Sequence, residues 1–126
     1  METLGIEKIL WIKKGEGVAA AGRVPAGADY FQDHFPDLPI LPGVLSLEIL
    51  KRTAECYLRN ENPAVPGYSV KAIKSAKFSS YLRPGDEWES RLELVAGGAS
   101  TEWKADLFHQ GRAAASARLI LEPQHE

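Results

Sequence analysis

The stretch DHFPDLPILPGVLSLE, residues 33–48, carries a histidine at one end and a glutamate at the other. Between them Pro36, Pro39 and Pro42 fix the backbone and remove donors. So stiff a lead-in is either a plain entry to a helix or a device that holds His34 against a reactant. A neutral imidazole titrates near the working pH and suits a general base. Glu48 lies between Leu47 and Ile49 on a helix expected to be buried. A carboxyl group in an apolar setting keeps its proton and suits a general acid. The Pro42-Gly43-Val44 helix start offers unpaired N–H groups and the positive end of the helix dipole to an oxygen gaining negative charge. Gly43 has no side chain to obstruct the approach. Base, acid and oxyanion donor together suit the elimination of water from a 3-hydroxyacyl thioester: one group takes the proton beside the carbonyl, another protonates the departing hydroxyl. Each signal is weak alone, because a loop histidine is commonly solvated and a helix glutamate commonly faces water.

These residues need elements to position them. Residues 43–60, GVLSLEILKRTAECYLRN, have the apolar spacing of a helix, with Val44, Leu47, Ala54 and Leu58 on one line. Leu45, Ile49 and Tyr57 widen that surface, so burial on most sides is expected. Asn60, Asn62 and Pro63 end it. Strands are predicted at 6–13 and 18–24 before the helix, and at 69–82, 87–96, 101–109 and 112–122 after it. Turns fall at KGEG (14–17), at Pro84-Gly85-Asp86, at Gly97-Gly98 and at Gln110-Gly111. Two strands, one buried helix and a closing meander make an α+β fold. A helix apolar on most sides requires an antiparallel curved sheet wrapped around it, which is the hot-dog arrangement.

The chain has 126 residues, 44% of them hydrophobic, and reads as a single domain over 1–126. The formal net charge of −2 gives no support to nucleic-acid binding. There is one cysteine, Cys56, so no intrachain disulfide forms, and a reduced, buried thiol is expected. The front of the sequence lacks a signal-peptide core, and no apolar run suits a membrane span, so a cytoplasmic protein is expected. Between Glu61 and Asp86 the only charged residues are Lys71, Lys74, Lys77 and Arg83. Lys51, Arg52 and Arg59 add to this basic supply, which would attract an acidic partner or simply face solvent.

HFPDLPILPGVLSLE resembles the signature of the bacterial beta-hydroxyacyl-acyl-carrier-protein dehydratases, with His34, Phe35, Pro36, Pro39, Pro42, Gly43, Val44 and Glu48 in register. YFQDHF (30–35) and AKFSSYLRPGDEW (76–88) resemble two further segments of that family. The resemblance implies the hot-dog fold and an assembly that is a homodimer or a trimer of dimers, with acyl tunnels at the dimer interface. It implies that His34 is the base, Glu48 the acid on the helix of the other protomer, and the Gly43 N–H the carbonyl donor. Phe35, Pro36, Leu38, Ile40, Leu41, Val44 and Phe78 would line the substrate tunnel. The substrate would be a 3-hydroxyacyl chain on acyl carrier protein, and no metal or organic cofactor would be needed. Fatty-acid synthesis and a polyketide-like or other specialised lipid pathway are both open. A thioesterase on the same fold and a non-catalytic acyl-binding subunit are the alternatives. The sequence departs from the pattern at Asp33 and Asp37, each in place of glycine, and at Arg52 in place of glutamine. Glu48 and Arg52 stand at i,i+4 and could pair, which would hold the carboxylate ionised and make it a poor general acid. Arg52 is expected instead to reach outward to solvent.

Overall fold

The computed structural model describes residues 6–25 and 43–124. Six strands and one helix follow the predicted order: β1 (Ile6–Lys13), β2 (Gly17–Arg23), α1 (Gly43–Glu61), β3 (Tyr68–Phe78), β4 (Glu87–Ala96), β5 (Thr101–His109) and β6 (Arg112–Pro123). All strand pairs are antiparallel, in the spatial order β1-β2-β4-β5-β6-β3. Strands β4, β5 and β6 form the meander, and β3 joins it from outside by pairing with β6. Register shifts in the β1–β2, β3–β6, β4–β5 and β5–β6 pairs bend the sheet, since an extra residue on one strand adds local twist. At the β5–β6 hairpin both Gln110 (φ 52°) and Gly111 (φ 76°) are left-handed, as a two-residue turn matched to strand twist requires.

The helix packs across β2, β3, β4, β5 and β6, which is the hot-dog fold. Alternation decides what it meets. On β4, Trp88, Ser90 and Leu92 point inward; on β5, Trp103, Ala105 and Leu107 do so. They enclose Ile49, Leu50, Ala54, Tyr57 and Leu58 of the helix. Trp103 is fully buried and meets Tyr57 edge-on, with ring centroids 5.2 Å apart. The Tyr57 hydroxyl accepts the Gly15 N–H at 2.8 Å, tying the helix to the β1–β2 turn. Among the described residues no helix is long and apolar enough to cross a membrane.

Two expectations need correction. The third strand was expected over 69–82 but ends at Phe78. The N–H groups of Ser79 and Ser80 both turn to the Ala114 carbonyl, and Leu82 drops into the core. The helix is also not buried on most sides. One face is buried, while Leu45, Leu47, Glu48, Lys51 and Arg52 are half-buried and Arg59 is exposed.

Among the described residues, one fully buried hydroxyl pair crosses the helix–sheet seam. Thr53 donates to the Ile49 carbonyl at 2.9 Å and lies 2.7 Å from the Ser90 hydroxyl, with both side chains fully buried. Thr53→Val keeps the shape and removes the hydroxyl. Ser90 would then have only the Ala20 carbonyl, at 3.5 Å, which is too long for a good bond. A loss of about 1–3 kcal/mol is expected. Urea unfolding checks it, as a lower midpoint at unchanged slope.

Candidate active site

Gly43 opens α1, and the first turn carries no acidic side chain. Among the described residues no acidic side chain caps its first N–H groups, which a helix start leaves without intrahelical partners. The end of β3 reaches the same place. A Cβ built on Gly43 would lie 3.0 Å from two ring atoms of Phe78, so glycine is what lets the helix start rest on that ring. Phe78 in turn stacks on Tyr81, with centroids 6.4 Å apart and planes 19° apart. The structure thus brings Gly43 and Phe78 together. Tyr81, half exposed beside them, is an aromatic that the sequence reading did not select. Its only signal was its spacing of three residues from Phe78.

Glu48 lies about 7–8 Å further along the helix axis, at the usual rise per residue. Its backbone is fixed by buried neighbours, Ile49 and Leu50, while its side chain stays about a third exposed. Its surroundings are not the apolar setting expected. Arg52 Nε donates to Glu48 Oε2 at 3.0 Å, and Lys51 Nζ stands 3.9 Å from the same oxygen. The expected outward reach of Arg52 is therefore wrong. At i,i+4 its half-buried guanidinium finds a carboxylate within reach, and a partly desolvated charge gains more from a partner than from incomplete hydration. Glu48 Oε1 has no hydrogen-bond partner among the described residues. The ladder continues along the helix: Lys51 lies 4.0 Å and Arg59 3.9 Å from Glu55, which also accepts the Tyr68 N–H at the start of β3. Lys51 at i,i+3 from Glu48 was readable as a partner but was counted only as a surface charge.

His34, Phe35, Pro36, Leu38, Ile40 and Leu41 lie outside the described residues, as does the side chain of Val44. The described backbone leading towards them is anchored. Val24 N–H donates to the Asp86 carbonyl at 2.8 Å and the Gly85 N–H returns to Val24 at 2.9 Å, so the Pro84-Gly85-Asp86 turn clamps the end of β2. Behind this clamp Trp88 is 3% exposed and its Nε1 has no partner among the described residues.

The remaining candidates are modest. Burial, and then Glu55, push the Cys56 thiol up, so it is a poor nucleophile at neutral pH. The basic supply is partly offset. Lys74 and Arg118 share Glu102, and their bonds hold that carboxyl below its ordinary range, the Arg118 bond foremost. Lys71 and Lys77 are exposed and form no ion pair among the described residues. Gly43→Ala tests the seat of the helix start. Alanine ordinarily improves a helix by up to about 1 kcal/mol, but here its methyl presses on Phe78 and a net loss of about 1–2 kcal/mol is expected. In a Phe78→Ala background the same change should become neutral or stabilising. Thermal melts of the four proteins check the change of sign.

Comparison with known proteins is consistent with this geometry. Residues 11–118 match the family model of the ApeI-like proteins, described as ApeI dehydratase. The chain is 33% identical over 92 residues to the 3-hydroxyacyl-acyl-carrier-protein dehydratase FabZ of Oceanobacillus iheyensis, covering 71% of this chain and 65% of that one. The corresponding enzyme of Polynucleobacter asymbioticus is 34% identical over 95 residues, covering 75% and 64%. The chain thus spans just under two thirds of the length of these relatives. Among solved structures, the dehydratase heterocomplex ApeI:P of Xenorhabdus doucetiae superposes with a TM-score of 0.79 over 98% of this chain and 85% of that one, at 11% identity. A thioesterase-like protein of Lactococcus lactis, yhdA, does so with a TM-score of 0.73 over 98% and 95%, at 12% identity. At such identities the likeness is one of fold.

Proposed function

We propose that this chain, which belongs to the ApeI-like dehydratase family, removes water from 3-hydroxyacyl thioesters borne on acyl carrier protein, in the cytoplasm. The observation that carries the reading is the match over 11–118. It takes in the whole His34–Glu48 motif and the Pro84-Gly85-Asp86 turn that clamps the strand leading to it. In this reaction His34 takes the proton from the carbon beside the thioester carbonyl. The electron pair left behind forms the new carbon–carbon double bond as the carbon–oxygen bond at the next carbon breaks. Glu48, ion-paired to Arg52 at rest, takes up a proton from solvent and gives it to the departing hydroxyl, which leaves as water. While charge builds on the carbonyl oxygen, the Gly43 N–H faces it at the positive end of α1. Phe35, Pro36, Leu38, Ile40, Leu41, Val44 and Phe78 enclose the acyl chain. No metal or organic cofactor takes part in these steps.

The working unit is a dimer. Support comes from β3, which among the described strands pairs only with β6 and whose residues Val70 to Lys77 are all exposed. Val70 is 38% and Ile73 48% exposed there. This open edge carries Val70, Ala72 and Ile73 beside three lysines, and a second copy laid along it would cover the edge and its apolar side chains. Lys71 and Lys77 lie on this strand and suit an acidic carrier protein.

The test is to offer 3-hydroxyacyl chains, on acyl carrier protein and on coenzyme A, to the purified protein. Enoyl product and free thiol are followed by mass spectrometry. Enoyl product is expected, lost in both His34→Ala and Glu48→Gln while melting temperatures stay within a few degrees. Free thiol without enoyl product would make the protein a thioesterase. Carrier protein bound without turnover would make it an acyl-binding subunit. Sedimentation tests the assembly: Ile73→Glu should yield monomers with little activity, and a dimer that survives this change uses another surface.

A further inference from the structure

We infer that Tyr81 is a binding residue at the mouth of the site, its ring carrying the pantetheine arm that joins the thioester to its carrier. This rests on the dehydratase reading. The first observation is a gradient of exposure along one row of groups. Gly43 opens α1, Phe78 in contact with it is half-buried, and Tyr81 beyond Phe78 is 50% exposed. The row therefore runs from the thioester position out to solvent. A chain borne on a carrier keeps its acyl end inside and its carrier end outside. What passes the outermost ring is the arm between them.

The second observation is that Tyr81 is exposed and yet held. Ahead of it, the N–H groups of Ser79 and Ser80 both turn to the Ala114 carbonyl. Behind it, Leu82 is 1% exposed in the core, and the Arg83 N–H donates to Asp86 Oδ2 at 2.8 Å. The ring itself lies against Phe78, 6.4 Å from centroid to centroid and 19° from parallel. An aromatic surface fixed on both flanks offers apolar area to a ligand with little left to order on binding. The arm consists of methylenes and flat amides, and both pack on a ring face. The spacing fits as well. A step of 6.4 Å beyond the Phe78 ring carries the contact past the sulfur and the two methylenes after it, as far as the first amide. An ethyl thioester ends short of that point.

The experiment follows enoyl product from one 3-hydroxyacyl chain offered as its acyl-carrier-protein, pantetheine and ethanethiol thioesters. The proteins are wild type, Tyr81→Ala and Tyr81→Phe, with fold and assembly checked by melting and sedimentation. On the first two carriers Tyr81→Ala should raise KM about five- to thirtyfold with kcat little changed, as loss of binding shared by ground and transition states requires. Wild type should itself have a lower kcat/KM on the ethyl thioester, where the contact is missing, and there Tyr81→Ala should cost less than about twofold more. Tyr81→Phe keeps the ring and should stay within about threefold of wild type on every carrier. An equal loss on all three carriers makes Tyr81 only a prop for Phe78 and overturns the inference. So does a loss confined to the carrier protein, which sets the ring against that protein's surface, and so does a Tyr81→Phe as weak as Tyr81→Ala. A wild type that yields no enoyl product from any carrier overturns the dehydratase reading and this inference with it. An active wild type with Tyr81→Ala unaffected overturns the inference alone.

Discussion

Everything in this molecule hangs on the seam between one helix and the sheet beneath it. Ile49, Leu50, Ala54 and Tyr57 fill that seam, and Thr53 meets Ser90 inside it. Apolar packing alone tolerates small slides along the helix axis, because dispersion and hydrophobic contacts have little direction. A buried hydroxyl pair does not, since an unmatched donor or acceptor there is costly. The hydroxyl pair therefore sets the height of the helix, and the Tyr57–Gly15 bond sets its far end. Once both are fixed, the position of Gly43 over Phe78 and the level of Glu48 follow from helical geometry.

The same division explains what the amino-acid sequence could disclose. Strands β4 and β5 were legible because Trp88, Leu92, Trp103 and Leu107 alternate with charged residues, and alternation is a local property. Gln110-Gly111 announced its hairpin for the same reason. The partner of β3 was not legible. Its pairing with β6 spans a long loop of chain, and nothing in YSVKAIKSAKF distinguishes β6 from β4 as a neighbour. The strand end at Phe78 was missed because Ser79, Ser80 and Tyr81 still read as extended; the Ala114 carbonyl that turns them is distant in sequence.

For the candidate site, Gly43 and Glu48 were selected from spacing and from a family resemblance, and the structure adds what surrounds them. Arg52 was misjudged because pairing with Glu48 and reaching for solvent look identical at i,i+4. Only how far the two side chains are buried decides, and that burial is a tertiary property. The Gly43–Phe78 contact was equally hidden, although both residues were selected, because no rule of local sequence brings a strand end to a helix start. The residues from His34 to Leu41 lie outside the described structure, so their roles stand on the motif.

The strand order carries a consequence for how the chain is made. Gly17 of β2 pairs with Glu93 of β4, and Tyr68 of β3 pairs with Pro123 of β6. Two of the five strand pairings are therefore closed by contacts between distant parts of the chain, and these must meet the cost of loop closure before they gain their bonds. During synthesis the β1–β2 hairpin and the helix emerge first, with no sheet face yet available to cover Leu50 and Tyr57. Until Trp103 and the final strand arrive, the helix must travel with its apolar face open, and it is in this interval that the nascent protein is most exposed to wrong company.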